Sequence, residues 1–276
     1  MTEADDAVFS YLTGQRHPDH PALVEGFERE GREAVAALHP ALDIAYGSHP
    51  RERFDLFTAK DARATLLYLH AGYWQSRDKA QFRFLAPVFV QGGLNLAVAN
   101  YPLCPEVGLA ALTESVRRAV PAVLDAMAGP TRLIAIGHSA GGHLAVELGL
   151  SDWTGRGFDR SPIAGVVGLS GVYDLEPLLD TALNDNLRLD RAAARAASPV
   201  HRVRDGLPPA LFAVGGRETA AFQRQTDAMR AAWAQAGARA QAVKVEGADH
   251  FTLLRAASDP EAPLFRAILR LAVGES

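Results

Sequence analysis

The sequence predicts an α/β fold: a mixed, mainly parallel sheet flanked by helices, with a small cap or insertion. Three observations carry that prediction. Short apolar runs recur along most of the 276 residues. Segments with three- and four-residue apolar spacing lie between them. Two strand-like pieces that look antiparallel precede the repeating pattern, as in one domain built on βαβ units.

The elements follow in order. Residues 1–40 are polar, contain several alanines and include R-H-P-D-H-P, which reads as an N-terminal helical extension; residues 41–276 form the main domain. L-D-I-A-Y (42–46) and R-F-D-L-F (53–57) are strand-like and joined by G-S-H-P. In the second, Asp55 alternates with Phe54 and Leu56, as in a half-buried strand. T-L-L-Y-L (65–69), 94–99, 132–136, 163–169, 210–214 and 241–245 are nearly all apolar. Runs of that length suit strands covered on both faces. In 106–128, Leu109, Leu112, Val116, Val120, Val123 and Met127 trace one helical face; in 219–237, Phe222, Thr226, Met229, Trp233 and Ala236 do the same. Segment 174–206 interrupts this rhythm between two strands. Excursions at the carboxyl ends of strands border the crevice of an open α/β sheet, so it reads as a cap or lid over part of the site.

Composition narrows the function. Charged residues make up 22%, the net charge is −4, and 48% of residues are hydrophobic. That leaves no basic footprint for nucleic acid. Cys104 is the single cysteine, so no internal disulfide can form, and no paired Cys/His metal spacing is present. The acidic start M-T-E-A-D-D-A-V does not read as a secretory leader, and no apolar run has the length of a membrane span. The expectation is a cytoplasmic protein with a small-molecule substrate and no nucleic-acid or membrane partner. No cofactor or metal is implied, and a homodimer is left open.

The chemistry is written in G-H-S-A-G (137–141), between an apolar strand and the apolar helix L-A-V-E-L-G-L. A serine in such a turn is held in a strained conformation that exposes its hydroxyl, and flanking glycines let the chain pass close to itself. The Ala140 N–H then opens a helix where an oxyanion would form. Ser139 could instead be an ordinary capping serine; as a nucleophile it needs a base. The order for this architecture is Ser, then Asp or Glu, then His. Of the histidines after Ser139, His143 reads as structural and His201 as a surface residue. His250, in V-E-G-A-D-H-F after the last strand, reads as the base. Glu218, in G-G-R-E-T after strand 210–214, reads as the acid, with Asp249 and Asp174 as rivals. L-H-A-G-Y-W-Q-S (69–76) has the form of an esterase oxyanion loop, so Gly72, Tyr73 and Ala140 are the candidate donors. His70 would brace that loop, and Trp74 reads equally as a core residue.

These motifs, with N-Y-P-L-C-P (100–105), L-S-G-V-Y-D-L-E-P-L (169–178), N-D-N-L-R-L (184–189), S-P-V (198–200) and D-H-F (249–251), resemble the α/β-hydrolases, and within them the kynurenine formamidases (arylformamidases). The resemblance implies a serine hydrolase with Ser139, Glu218 and His250 as triad and the 70–73 loop as oxyanion hole. Ala71 stands where the family loop usually has glycine, and Glu218 where it usually has aspartate. The implied reaction is cleavage of an aryl formamide such as N-formyl-L-kynurenine through a formyl-enzyme; the alternative is a broad carboxylesterase on small acyl esters. An aryl group would fit beside Tyr73, Trp74 and Tyr173, with Asn184 and Arg188 as partners for an amino-acid carboxylate and ammonium. A non-catalytic relative would usually lack a triad member, and all three are present.

Overall fold

Every apolar run forms a strand. The computed structural model describes residues 6–15 and 17–275. Most of the acidic start read against a leader, Arg16 of R-H-P-D-H-P, and Ser276 lie outside the described residues. After the short helix α1 (Ala7–Tyr11) and the longer α2 (His20–Leu38) come β1 (Ala41–Ala45), β2 (Arg53–Phe57), β3 (Ala64–Leu69), α3 (Ala86–Gln91) and β4 (Leu94–Ala99). Then follow α4 (Leu109–Asp125), β5 (Leu133–His138), α5 (Ala140–Leu150), β6 (Ile163–Leu169), α6 (Asn184–Leu187) and α7 (Arg191–Ala196). The chain ends with β7 (Ala210–Gly215), α8 (Ala220–Gln235), β8 (Ala240–Val245), α9 (Leu253–Ala257) and α10 (Pro263–Val273).

The strands form one eight-stranded sheet in the order β1-β2-β4-β3-β5-β6-β7-β8. Only the β1–β2 and β2–β4 pairs are antiparallel; the others are parallel. Every residue of β3, β4 and β5 is buried, whereas the edge strands β1 and β8 are largely exposed or half-buried. This explains why the central strands lack alternation: helices cover both of their faces. At its edge, β1 carries a register break between Ala41 and Ile44, with Asp43 at φ 56°. Such an irregularity blunts an exposed edge against pairing with another chain.

Two apolar layers sandwich the sheet. One packs α4, α5 and α8 around Trp74, Tyr173, Phe212 and Trp233; the other packs α2, α3, α9 and α10 around Phe27, Phe57, Phe89 and Phe265. All of α5 is buried, so its largely apolar sequence, broken only by His143 and Glu147, matches its central place. The parallel strands β3, β5, β6 and β7 end on one edge of the sheet, and the loops carrying the candidate site residues emerge there. No described helix is long and apolar enough to cross a membrane.

Candidate active site

Ser139 sits alone between β5 and α5, at φ 56° and ψ −118°. This is an uncommon conformation for a residue with a Cβ, and it persists only where the surroundings enforce it. They do so here by close backbone approach. A Cβ on Gly137 would lie 2.0 Å from the Gly141 carbonyl oxygen, and one on Gly141 would lie 1.9 Å from that of Leu69. The Ser139 N–H donates to Leu169 O at 2.8 Å, which ties the turn to the end of β6.

Glu218 and His250 come from the loops after β7 and β8. The His250 Nδ1–H donates to Glu218 Oε2 at 2.8 Å. A carboxylate only accepts, so the proton belongs on Nδ1 and leaves Nε2 as an acceptor. The other carboxylate oxygen accepts from the Gly215 N–H at 2.7 Å and from the Ser170 hydroxyl. Ser170 was not singled out in the sequence; it lies in the L-S-G that leaves β6 and is held at φ 48°. Ser139 and His250 both line one cavity, and among the described residues no direct hydrogen bond joins their side chains. Such contacts often tighten only when substrate is bound.

The rival acids are engaged elsewhere. Asp249 Oδ1 accepts from the N–H groups of Phe251 and Thr252, and its other oxygen faces His17 at 3.6 Å. Asp174 lies 3.9 Å from His201.

In the loop after β3, left-handed backbone falls on Gly72 (φ 125°), Tyr73 (φ 51°) and Trp74 (φ 61°), and not on Ala71. Alanine therefore replaces the family glycine without strain. Gly72 cannot be replaced so easily, because a Cβ there would lie 2.2 Å from Ser76 O. Ala140, the first residue of α5, has no acceptor for its N–H within the helix. The loop is braced from below. His70 stacks on Tyr101 at 4.2 Å and bonds Ala71 O at 2.7 Å, while Arg51 reaches Tyr101 O and Arg77 O, each at 2.8 Å. Arg51 is a second residue that sequence reasoning missed, since it lies far from this loop along the chain.

Three buried histidines surround the site. His138 donates from Nε2 to His250 O at 2.8 Å, and His143 from Nε2 to Ala197 O at 2.9 Å, linking α5 to the 174–206 segment. Burial pushes all three below the ordinary imidazole range, His70 to about 4. With a folded pKa below the unfolded value, the unfolded chain binds more protons. Stability is then full above about pH 6.5 and falls as pH drops toward the folded pKa, by about 1.4 kcal/mol per pH unit for each site. Urea midpoints measured from pH 7 to 4.5 are expected to fall more shallowly for His143→Gln than for wild type. Parallel curves would mean that His143 is not held neutral.

The cavity has a volume of about 460 Å³ and corrects several expectations. Of the predicted contact residues, only Tyr73 lines it. Trp74 is fully buried in the core, edge-on to His143 at 5.1 Å, and Tyr173 is fully buried against Phe212. Asn184 spends its side chain on its own turn, accepting from Leu189 N–H and donating to Leu189 O. Arg188 caps α6 at φ 53° and lines a different cavity, with Leu109, Thr113 and Arg117. None of the described residues lining the Ser139 cavity comes from segment 174–206.

The N-terminal extension contributes that wall instead, through Leu12, Gln15, His17, His20 and Pro21. It is fastened to the loop that carries Tyr73 and to the chain that follows Glu218. The Tyr73 hydroxyl donates to Tyr11 O, the Thr219 hydroxyl donates to Ser10 O at 2.8 Å, and Gln225 Nε2 donates to the Tyr11 hydroxyl at 2.9 Å.

Comparisons with known proteins bear on the fold and the family. A family model described as the alpha/beta hydrolase fold matches residues 66–254, more than half of the chain. The chain is 29% identical to a protein named kynurenine formamidase from Danio rerio, over 99% of this chain and 91% of that one. It is 29% identical, with a TM-score of 0.83 and 99% coverage of both chains, to the crystal structure of a candidate thioesterase of Silicibacter sp. TM1040. It also shares the fold of butyrate-bound esterase 2 of Thermogutta terrifontis, with a TM-score of 0.64, 23% identity and coverage of 84% of this chain and 91% of that one. The chain therefore belongs to the α/β-hydrolase fold family, and it is a hydrolytic enzyme of the esterase and amidase kind acting on small organic substrates.

Proposed function

We propose that the chain is a serine carboxylesterase acting on small acyl esters, with Ser139 as nucleophile, His250 as base and Glu218 as acid. The observation that carries this reading is the Glu218–His250 hydrogen bond at 2.8 Å, with His250 lining the same cavity as the strained Ser139. His250 Nε2 takes the Ser139 proton as Oγ attacks the ester carbonyl, and Glu218 stabilises the resulting imidazolium. The N–H groups of Gly72, Tyr73 and Ala140 would receive the oxyanion; removing one such donor typically costs about 3–4 kcal/mol of transition-state stabilisation. The imidazolium then protonates the leaving alkoxide. Water, deprotonated by the same ring, releases the acid and restores the serine.

A second reading keeps this machinery and changes the substrate to an aryl formamide such as N-formyl-L-kynurenine, giving the aniline and formate. It is favoured by a likeness to the Danio rerio kynurenine formamidase that spans nearly the whole chain. Both readings need a catalytic Ser139 and differ in the fit of acyl and leaving groups. The test compares kcat/KM on N-formyl-L-kynurenine and p-nitrophenyl butyrate, alongside labelling by a fluorophosphonate probe. Labelling of Ser139 with ester turnover at least about tenfold above the formamide supports the first reading, and the reverse ratio selects the second. An unlabelled, inactive protein would sink both.

A further inference from the structure

We propose that the Ser139 cavity selects substrates that carry a carboxylate, held by the guanidinium of Arg77 where the N-terminal extension closes over the site. This rests on the serine-hydrolase reading and adds a substrate class to it.

The cavity wall is electrically one-sided. Among its described lining residues no carboxylate is present, and Arg77 is the only side chain with a permanent charge. Guanidinium groups are normally neutralised when water is withdrawn from them. The other arginines around this loop are neutralised: Arg51 faces Asp78 at 3.4 Å, and Arg83 meets Asp55 at 2.8 Å. Among the described residues Arg77 forms no such pair. Glu28, which acts on it through space, accepts instead from Gln81 at 2.8 Å. Half-buried and unpaired, the Arg77 guanidinium has its pKa lowered, chiefly by burial. A bound anion would remove that penalty.

The residue is also held in place. Its backbone has φ 78°, and its carbonyl oxygen accepts from Arg51 at 2.8 Å. Its stem lies against the oxyanion loop, since a Cβ on Gly72 would come within 2.8 Å of Arg77 Cγ. One guanidinium N–H donates to His20 Nε2 at 2.8 Å. His20 sits edge-on to Phe251, the residue after His250, with ring centroids 4.6 Å apart. The guanidinium has five N–H donors, so others are left for a carboxylate, in the forked geometry that binds both of its oxygens. Both Arg77 and His20 line the Ser139 cavity, so the anion would be bound on the same substrate molecule that the serine attacks.

Two matched substrate pairs test this. Mono-p-nitrophenyl succinate against p-nitrophenyl butyrate places the charge on the acyl side. 3-Acetoxybenzoate against its methyl ester places it on the leaving group. In wild type the charged member of at least one pair is expected to be preferred by about 10- to 100-fold in kcat/KM, mainly through KM. Added salt should shrink that preference, because the anion is met at a cavity open to solvent. Arg77→Met should bring the ratio within about threefold of unity, and Arg77→Lys should keep part of it. If Arg77→Met does not fold, the wild-type ratio and its salt dependence decide. Turnover of the neutral esters with no preference in either pair overturns the anion site and leaves the hydrolase reading intact. A folded wild-type protein that turns over none of the four, and whose Ser139 takes no fluorophosphonate label, overturns the hydrolase reading itself.

Discussion

Replacing Ser139 by alanine is expected to lower kcat/KM for the best ester by at least about 10⁴-fold while leaving the melting temperature close to that of wild type. The activity term follows from the nucleophile role proposed for the hydroxyl. Without it no acyl-enzyme forms, and what remains is the contribution of substrate binding and the oxyanion donors. The stability term follows from the backbone. Alanine keeps the Cβ, so the cost of holding φ 56° and ψ −118° is unchanged. Ser139→Gly is expected to be just as inactive but no less stable than wild type. Relief of about 1–3 kcal/mol of backbone strain competes there with about 0.5–1 kcal/mol of added unfolded-state entropy. The conservative change Glu218→Gln should lower kcat by about 10³- to 10⁴-fold, because an amide cannot stabilise the imidazolium and can present an N–H to Nδ1. If Ser139→Ala retains activity within tenfold of wild type, the strained serine is structural and another group attacks the substrate. Retention by the Glu218 variant alone would mean that the 2.8 Å bond orients the ring without contributing charge.

The fold was legible because its signals are local. Each strand is an apolar run bounded by turn residues, and each of the eight runs lies within a residue or two of the observed strand. The sharp turn at Ser139 was legible for the same reason: strand, glycine, serine, glycine and helix are contiguous. That Glu218 and His250 meet was foreseeable because loops after successive parallel strands emerge on one edge of the sheet. The cavity wall was not legible. Leu12, Gln15, His17 and His20 belong to a polar stretch without periodicity, and their partners lie far along the chain, as in the bond from Gln15 to Thr219. Nor can a motif show where a side chain is already spent. Asn184 is a good donor and acceptor on paper, but both functions close its own turn. Tyr173 and Trp74 are aromatic and near the right loops, yet they point into the apolar layer beneath. Much of the wall of the Ser139 cavity therefore comes from the segment with the weakest sequence signal. Its hydrogen bonds to the loops carrying Tyr73 and Thr219 tie the shape of the pocket to the placement of the proposed acid and oxyanion donors.

Gly141→Ala is expected to be strongly destabilising, although alanine is the better helix former by about 1 kcal/mol. The added Cβ would sit 1.9 Å from Leu69 O and 2.7 Å from His70 O. These are backbone atoms, and they cannot rotate away. Leu69 is paired in register with Ala99 on one side and Gly137 on the other, so moving it disturbs two strand ladders and the start of the oxyanion loop. Clash should outweigh propensity, with a loss of about 3–5 kcal/mol, at the severe end for point substitutions. Gly142→Ala, whose Cβ would meet Gly171 Cα at 3.0 Å, should cost less, and Gly129→Ala, with nothing within 4 Å, should be nearly neutral. Urea midpoints for the three variants test the order. If Gly141→Ala folds at reduced stability, the segment at Leu69 and His70 has shifted to admit the methyl group. Because Gly72 and Tyr73 follow directly, ester hydrolysis should then fall by more than the loss of folded protein explains. A Gly141→Ala variant as stable as Gly129→Ala would mean that the chain after Ser139 does not pass this close to the end of β3.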